Sequence, residues 1–105
     1  MKKQICILGS TGSIGTQALD VVREHSDLFE IYCLTANNRV EQLARQAREF
    51  RPAAVVIAND AHYDRLKELL SDLPEIKVYA GRDALDQIVE ASPIDMVLTA
   101  MVGFA

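Results

Sequence analysis

Hydrophobic residues along the chain alternate between short continuous runs and longer stretches in which they recur every three or four positions. A short continuous run is typical of a strand buried on both faces, and the wider spacing is typical of an amphipathic helix. The runs predict five strands, over residues 4–8, 29–35, 53–58, 77–80 and 95–100. The spaced stretches predict four helices between them, over residues 13–24, 40–50 and 61–70 and between Gly81 and Pro93.

This βαβαβαβαβ alternation predicts an α/β fold, a Rossmann-like, doubly wound parallel sheet covered by helices on both faces. In such a sheet the ligand binds at the carboxyl ends of the strands, where the strand order reverses. A length of 105 residues supports a single domain. Residues 101–105 begin a new loop that neither a helix nor a polar tail completes. We therefore expect residues 1–105 to be one domain of a longer protein, cut before its final elements.

The spacing also predicts which face of each helix is buried. On the first helix the apolar residues that share a face are Ile14, Ala18, Val21 and Val22. On the second helix they are Val40, Leu43, Ala44 and Ala47.

Charge and composition exclude several classes of function. The net charge is −4 without a basic run, which argues against binding to nucleic acid or to an anionic membrane. No apolar stretch approaches the roughly 20 residues that span a bilayer, and the first residues lack a secretory signal, so we expect a cytoplasmic protein. Cys6 and Cys33 lie in apolar runs and are expected to be buried core thiols, because disulfides are rare in the cytosol.

The most informative motif is GSTGSIG, residues 9–15, which follows the first strand and opens the first helix. Gly9 permits a tight turn, Gly12 lets a pyrophosphate approach the backbone, and Gly15 lets the helix pack closely. This context predicts a dinucleotide-binding loop. The alternative is a glycine-rich turn without a ligand. A P-loop is excluded because Thr16 follows Gly15 where that motif requires lysine.

The start of the first helix offers donors to an anion. The main-chain N–H groups of Ser13 and Ile14 point towards the loop together with the helix dipole. The hydroxyl groups of Ser10, Thr11 and Ser13 add further candidate donors. These residues therefore complete the predicted phosphate site.

The end of the second strand indicates which dinucleotide binds. NAD-preferring domains place an acidic residue there to bind the ribose 2′-hydroxyl. This chain has Asn37, Asn38 and Arg39 instead, and two amides with a guanidinium suit a 2′-phosphate. The alternative is that the asparagines cap the next helix and Arg39 is solvated, which is compatible with phosphate binding. The sequence thus favours NADPH.

The sequence contains no D-x-E or H-E-x-x-H pattern, so we name no catalytic residue and no metal ligand in this chain.

Three segments resemble one family closely: LGSTGSIGTQALDVVREH, LTANNRVEQLARQ and MVLTAMVGFA. The family is 1-deoxy-D-xylulose 5-phosphate reductoisomerase, and the resemblance covers essentially the whole chain. It implies that the segment from Thr11 to Ile14 binds NADPH and that residues 37–39 bind its adenosine phosphate end. Many members have Gly-Lys-Asn-like residues there, so it stays open whether Asn38 or Arg39 binds the 2′-phosphate. Ala100 begins a stretch that matches the family's turn beneath the nicotinamide side.

The resemblance also implies what a full-length member does. The family isomerises 1-deoxy-D-xylulose 5-phosphate and reduces it to 2-C-methyl-D-erythritol 4-phosphate in non-mevalonate isoprenoid biosynthesis. Its Mg²⁺ or Mn²⁺ ligands and its sugar-phosphate site lie beyond position 105, so we expect this chain alone to be inactive. We expect the full-length protein to be a homodimer. The alternatives are the cofactor domain of an aspartate-semialdehyde-type dehydrogenase and a non-catalytic NADP-sensing module.

Overall fold

A computed structural model describes residues 2–91 and 94–99 of the chain. The strands are β1 (Lys3–Leu8), β2 (Phe29–Ala36), β3 (Ala54–Ile57), β4 (Lys77–Ala80) and β5 (Met96–Thr99). The helices are α1 (Ser13–Glu24), α2 (Val40–Phe50), α3 (Tyr63–Leu69) and α4 (Arg82–Ala91). Each predicted element is present. The third helix begins two residues later than predicted, because a turn of 3-10 helix, Asp60–His62, precedes it.

The strands form one parallel sheet in the order β4-β3-β2-β1-β5. The chain moves outward from β1 to β4 and then returns to place β5 on the other side of β1. Strand order therefore reverses at β1, which is where doubly wound folds bind their ligands. This arrangement confirms the predicted Rossmann-like α/β fold.

Helices cover the two faces of the sheet unequally. On one face, side chains of α1, α2 and α3, among them Leu19, Leu43 and Leu66, pack on the sheet in a large apolar cluster. On the other face a smaller cluster includes Ile88 of α4 and the thiols of Cys6 and Cys33. Both cysteines are fully buried and neither forms a disulfide, as predicted. The neighbouring Cys6 thiol, together with burial, raises the pKa of the Cys33 thiol.

The buried face of α1 differs from the prediction. The residues that face the core are Gly15, Leu19 and Val22, whereas Ile14 is 57% exposed and Val21 is 52% exposed. The prediction was wrong for these two residues because the close approach at Gly15 turns the line of residues 15, 19 and 22 towards the sheet. Val21 lines an apolar groove beside β5 instead. On α2 the predicted face is buried as expected, and Gln46 is buried with it.

The pairing of β1 with β2 is irregular at one position. Ile5 pairs with Ile31, but the next residue, Cys6, pairs with Cys33, so Tyr32 is an extra residue in β2. The shift brings Leu8 opposite Thr35 at the carboxyl end of the two strands.

No helix within residues 2–91 and 94–99 is both long enough and apolar enough to cross a bilayer.

Candidate cofactor-binding site

The glycine loop, residues 9–15, connects the carboxyl end of β1 to α1 beside the point where strand order reverses. Gly9 has a φ of +81°, a left-handed conformation that favours glycine. Its N–H group donates to the main-chain oxygen of Thr35 at 3.1 Å and to the Thr35 hydroxyl at 3.0 Å. The end of β2 therefore fixes the first residue of the loop.

Ser10 is held from two sides. Its N–H group donates to the main-chain oxygen of Thr35 at 2.9 Å, and its hydroxyl donates to Gln46 Oε1 at 2.7 Å. Gln46 Nε2 in turn donates to the main-chain oxygen of Ser10 at 2.9 Å. Ser10 is fully buried. Its hydroxyl therefore fixes the loop rather than facing a ligand, which differs from the role predicted for it.

Gly15 is required by packing. A Cβ atom at this position would lie 2.4 Å from the main-chain oxygen of Gly9 and 2.6 Å from Ser10 Cα. Both neighbours are backbone atoms that hydrogen bonds to Thr35 hold in place. The absence of a side chain at Gly15 thus allows α1 to start directly against the loop, as predicted.

Gly12 differs from the other two glycines of the loop. It is exposed and has a φ of −81°, which any residue adopts, so its backbone conformation does not require glycine. It is the N-cap residue of α1, its oxygen accepts the N–H of Thr16 at 2.9 Å, and no side chain in the described residues caps the helix. The N–H groups of Ser13 and Ile14 precede this first intrahelical bond. They are therefore placed to bind an anion at the exposed helix start.

A second group of candidate residues follows β2. We call Asn37, Asn38 and Arg39 the 37–39 segment, and all three residues are exposed. Arg39 is the N-cap residue of α2, and neither asparagine side chain caps that helix. The alternative role considered for the asparagines is therefore not realised here. Arg39 takes part in none of the ion pairs found within the described residues, so its guanidinium is available to a ligand.

Asn59, which follows β3, holds the 37–39 segment. Its Nδ2 donates to Asn38 Oδ1 at 2.7 Å, and its N–H donates to the main-chain oxygen of Asn37 at 3.1 Å. Its Oδ1 accepts the N–H of Ala61 at 3.1 Å, which caps the 3-10 turn. Because the oxygen of the Asn38 amide is engaged, that side chain has only N–H groups to offer a ligand.

Gln46 and Asn59 were not among the residues that the sequence patterns predicted for the site. For Gln46 the available signal was a polar residue next to the predicted buried face of α2. For Asn59 the signal was a polar residue at the carboxyl end of the third strand, where ligands of this fold bind.

Two further predictions concern catalysis and metal binding. Ala100 lies outside the described residues, so its proposed contact with the nicotinamide side stays a prediction. Within residues 2–91 and 94–99 no group of three or more His, Cys, Asp or Glu side chains could hold a metal ion. The arrangement that the structure does contain is a glycine loop that opens α1, with a polar, cationic segment after the neighbouring strand.

Known proteins match this arrangement. The family model of 1-deoxy-D-xylulose 5-phosphate reductoisomerase matches residues 5–105. The reductoisomerase of Bacteroides thetaiotaomicron is 73% identical over 104 residues, which are 99% of this chain and 26% of that protein. The chain thus spans about a quarter of the length of the curated relatives that it matches.

Solved structures agree with the sequence match. The reductoisomerase from Zymomonas mobilis in complex with NADPH has a TM-score of 0.90 and 33% identity, covering 96% of this chain and 26% of that one. A DOX-P reductoisomerase in complex with NADPH, fosmidomycin and magnesium has a TM-score of 0.87 and 31% identity, covering 94% and 24%. The chain belongs to the 1-deoxy-D-xylulose 5-phosphate reductoisomerase family.

Proposed function

We propose that residues 1–105 form the NADPH-binding domain of a longer reductoisomerase. The observation that carries this proposal is the contrast among the three glycines of the loop. Gly9 is explained by its positive φ and Gly15 by its contact with the loop backbone, whereas Gly12 is exposed and has a φ that any residue adopts. A pyrophosphate approaching the backbone at Gly12, next to the N–H groups of Ser13 and Ile14, supplies the missing reason.

The 37–39 segment supports NADPH rather than NADH. It lies at the carboxyl end of β2, where an acidic residue would select a ribose 2′-hydroxyl. Asn38 offers amide N–H groups and Arg39 offers an exposed guanidinium, both of which bind a phosphate. We assign the charge-assisted contact to Arg39 and a neutral hydrogen bond to Asn38. We place the nicotinamide side at Ala100, after β5.

In the full-length protein we propose the family reaction, isomerisation and reduction of 1-deoxy-D-xylulose 5-phosphate. Bound NADPH supplies the hydride, and the residues described here bind and orient its phosphates. The sugar-phosphate substrate and a Mg²⁺ or Mn²⁺ ion are held by residues beyond this chain. The family match favours this reaction over that of an aspartate-semialdehyde-type dehydrogenase and over a non-catalytic NADP-sensing module.

We further propose a cytoplasmic homodimer. The two free, buried thiols of Cys6 and Cys33 suit a reducing compartment. Half-exposed apolar residues of α1 and β5 suit a surface that packs against further protein, from the same chain or from a second copy.

The test is calorimetric titration of the full-length protein with NADPH and NADH, followed by an assay of NADPH oxidation with 1-deoxy-D-xylulose 5-phosphate and Mg²⁺ or Mn²⁺. We expect tighter binding of NADPH and metal-dependent turnover by the full-length protein, with no turnover by residues 1–105 alone. Equal affinities for the two nucleotides would overturn the cofactor assignment. Turnover by the isolated domain would show that catalytic groups lie within it.

A further inference from the structure

Gln46 is a buried polar residue whose hydrogen bonds all go to the glycine loop. It lies on the core-facing side of α2 and is only 9% exposed. Its Oε1 accepts from the Ser10 hydroxyl, and its Nε2 donates to the Ser10 main-chain oxygen. Ser10 itself is fully buried. A core position on α2 would normally be apolar, as Leu43 and Ala47 are. Buried side chains are mostly apolar unless their polar groups are hydrogen-bonded, so the polar side chain points to a requirement of the loop.

The same helix begins at the other end of the predicted cofactor site. Arg39 is the N-cap residue of α2, and its main-chain oxygen accepts the N–H of Leu43 at 3.0 Å. Gln46 follows Arg39 by seven positions, which is two turns of the helix. A rigid helix therefore connects the 37–39 segment to Ser10 through the Gln46 side chain.

We infer that Gln46 is a positioning residue that fixes the glycine loop relative to α2, and so sets the spacing between the pyrophosphate loop and the 37–39 segment. The effect of Gln46 on NADPH affinity rests on the proposed NADPH-binding function. The restraint on the loop itself does not depend on that function. Gln46 acts through Ser10 and does not touch the cofactor.

The first test compares two variants of the full-length protein. Gln46→Leu keeps an apolar side chain of similar size but removes both hydrogen bonds to Ser10, and Gln42→Leu makes the same change one turn earlier on α2. We expect Gln46→Leu, which loses two buried hydrogen bonds, to weaken NADPH binding about tenfold and NADH binding less, because only NADPH has a 2′-phosphate that must meet the 37–39 segment while its pyrophosphate meets the loop. The kcat at saturating cofactor should stay unchanged, and Gln42→Leu should bind like the parent protein. Affinities within twofold of the parent, with only the Tm lowered, would overturn the inference.

The second test separates this inference from the cofactor assignment. Amide hydrogen exchange is measured without any nucleotide. We expect faster exchange at Gly9 and Ser10 in Gln46→Leu than in Gln42→Leu, since the loop has lost its attachment to α2. Equal exchange in the two variants would overturn the inference, even if the parent protein bound NADPH. Faster exchange in Gln46→Leu, together with a parent protein that fails to bind NADPH, would support the restraint and reject the proposed function instead.

A double-mutant cycle with Ser10→Ala completes the design. If Gln46 acts through Ser10, the affinity loss in Ser10→Ala/Gln46→Leu should be smaller than the sum of the two single losses. Additive losses would overturn the inference by showing that Gln46 affects the site through another route.

Discussion

The glycine loop and the 37–39 segment are built in different ways, although both are proposed to bind phosphate groups of one cofactor. The loop begins with Gly9 and Ser10, whose main-chain N–H groups are already bonded to Thr35, and α1 packs directly against it. The 37–39 segment is an exposed turn that presents side chains to solvent. The loop can therefore bind a pyrophosphate with a preformed backbone, whereas the segment must immobilise the exposed side chain of Arg39 when a ligand arrives.

The difference assigns separate tasks to the two regions. In the proposed site, the backbone of the loop recognises the pyrophosphate that NADH and NADPH share, and it depends on the fold for its shape. The side chains of the 37–39 segment are proposed to distinguish the 2′-phosphate, and they can change without disturbing the core. We therefore expect variants of the loop to affect both cofactors and variants of the segment to affect mainly NADPH.

The largest effect is expected for Gly15→Val. Its Cβ would meet the Gly9 oxygen at 2.4 Å, so α1 must move away from the loop. We expect the free energy of unfolding to fall by about 1–3 kcal/mol, the usual cost of overpacking, and binding of both cofactors to be lost. Chemical denaturation and nucleotide titration measure the two effects. Gln17→Ala, an exposed change on the same helix, is the control, and parent-like cofactor binding by Gly15→Val would show that this contact does not shape the loop.

Gly12→Val should affect binding much more than folding. The φ of −81° accommodates a branched side chain, so circular dichroism should remain close to that of the parent, while the Tm falls slightly because valine is a poorer N-cap residue than glycine. The side chain would occupy the space proposed for the pyrophosphate, and we expect both NADPH and NADH to lose about 1–3 kcal/mol of binding free energy. Unchanged affinity in this variant would place the dinucleotide elsewhere on the molecule.

Arg39→Ala should weaken NADPH binding with little change in NADH binding. A charge-assisted hydrogen bond contributes roughly 1.5–3 kcal/mol, so we expect the preference for NADPH to fall about tenfold to a hundredfold. Arg45→Ala removes an equally exposed arginine from the same helix and is the matched control. If the preference survives in Arg39→Ala and disappears in Asn38→Ala, the main contact with the 2′-phosphate belongs to Asn38.

The smallest effect is expected for Asn59→Ala. This variant removes the donor to Asn38 Oδ1, so the Asn38 amide can turn its oxygen towards the ligand. We expect NADPH affinity to fall about threefold, in keeping with the loss of one neutral hydrogen bond, and NADH affinity to be unaffected. Asp60→Ala, which alters the neighbouring exposed residue, controls for the 3-10 turn. An equal loss for both cofactors would show that Asn59 acts on the backbone instead.

Sequence patterns predicted most of the fold because each strand is a compact apolar run and each helix has a clear apolar period. They predicted the position of the glycine loop because its motif consists of residues that are neighbours in sequence. They failed where two elements meet: the exposure of Ile14 and Val21 depends on how closely Gly15 lets α1 approach the loop. The roles of Ser10 and Gln46 likewise depend on a contact between residues 36 positions apart, which no local spacing encodes.

The extra residue in β2 has a consequence for the register at the carboxyl ends of β1 and β2. With regular pairing from Ile5 and Ile31 onward, Leu8 would stand opposite Leu34, which has no hydroxyl to accept the N–H of Gly9. The insertion of Tyr32 advances the strand by one residue, so that Thr35 reaches that place. An irregularity in the middle of the sheet thus decides which side chain meets the loop at its edge. Deleting a single residue within β2 would shift the chemistry at the end of the strand while leaving every residue of the glycine motif intact.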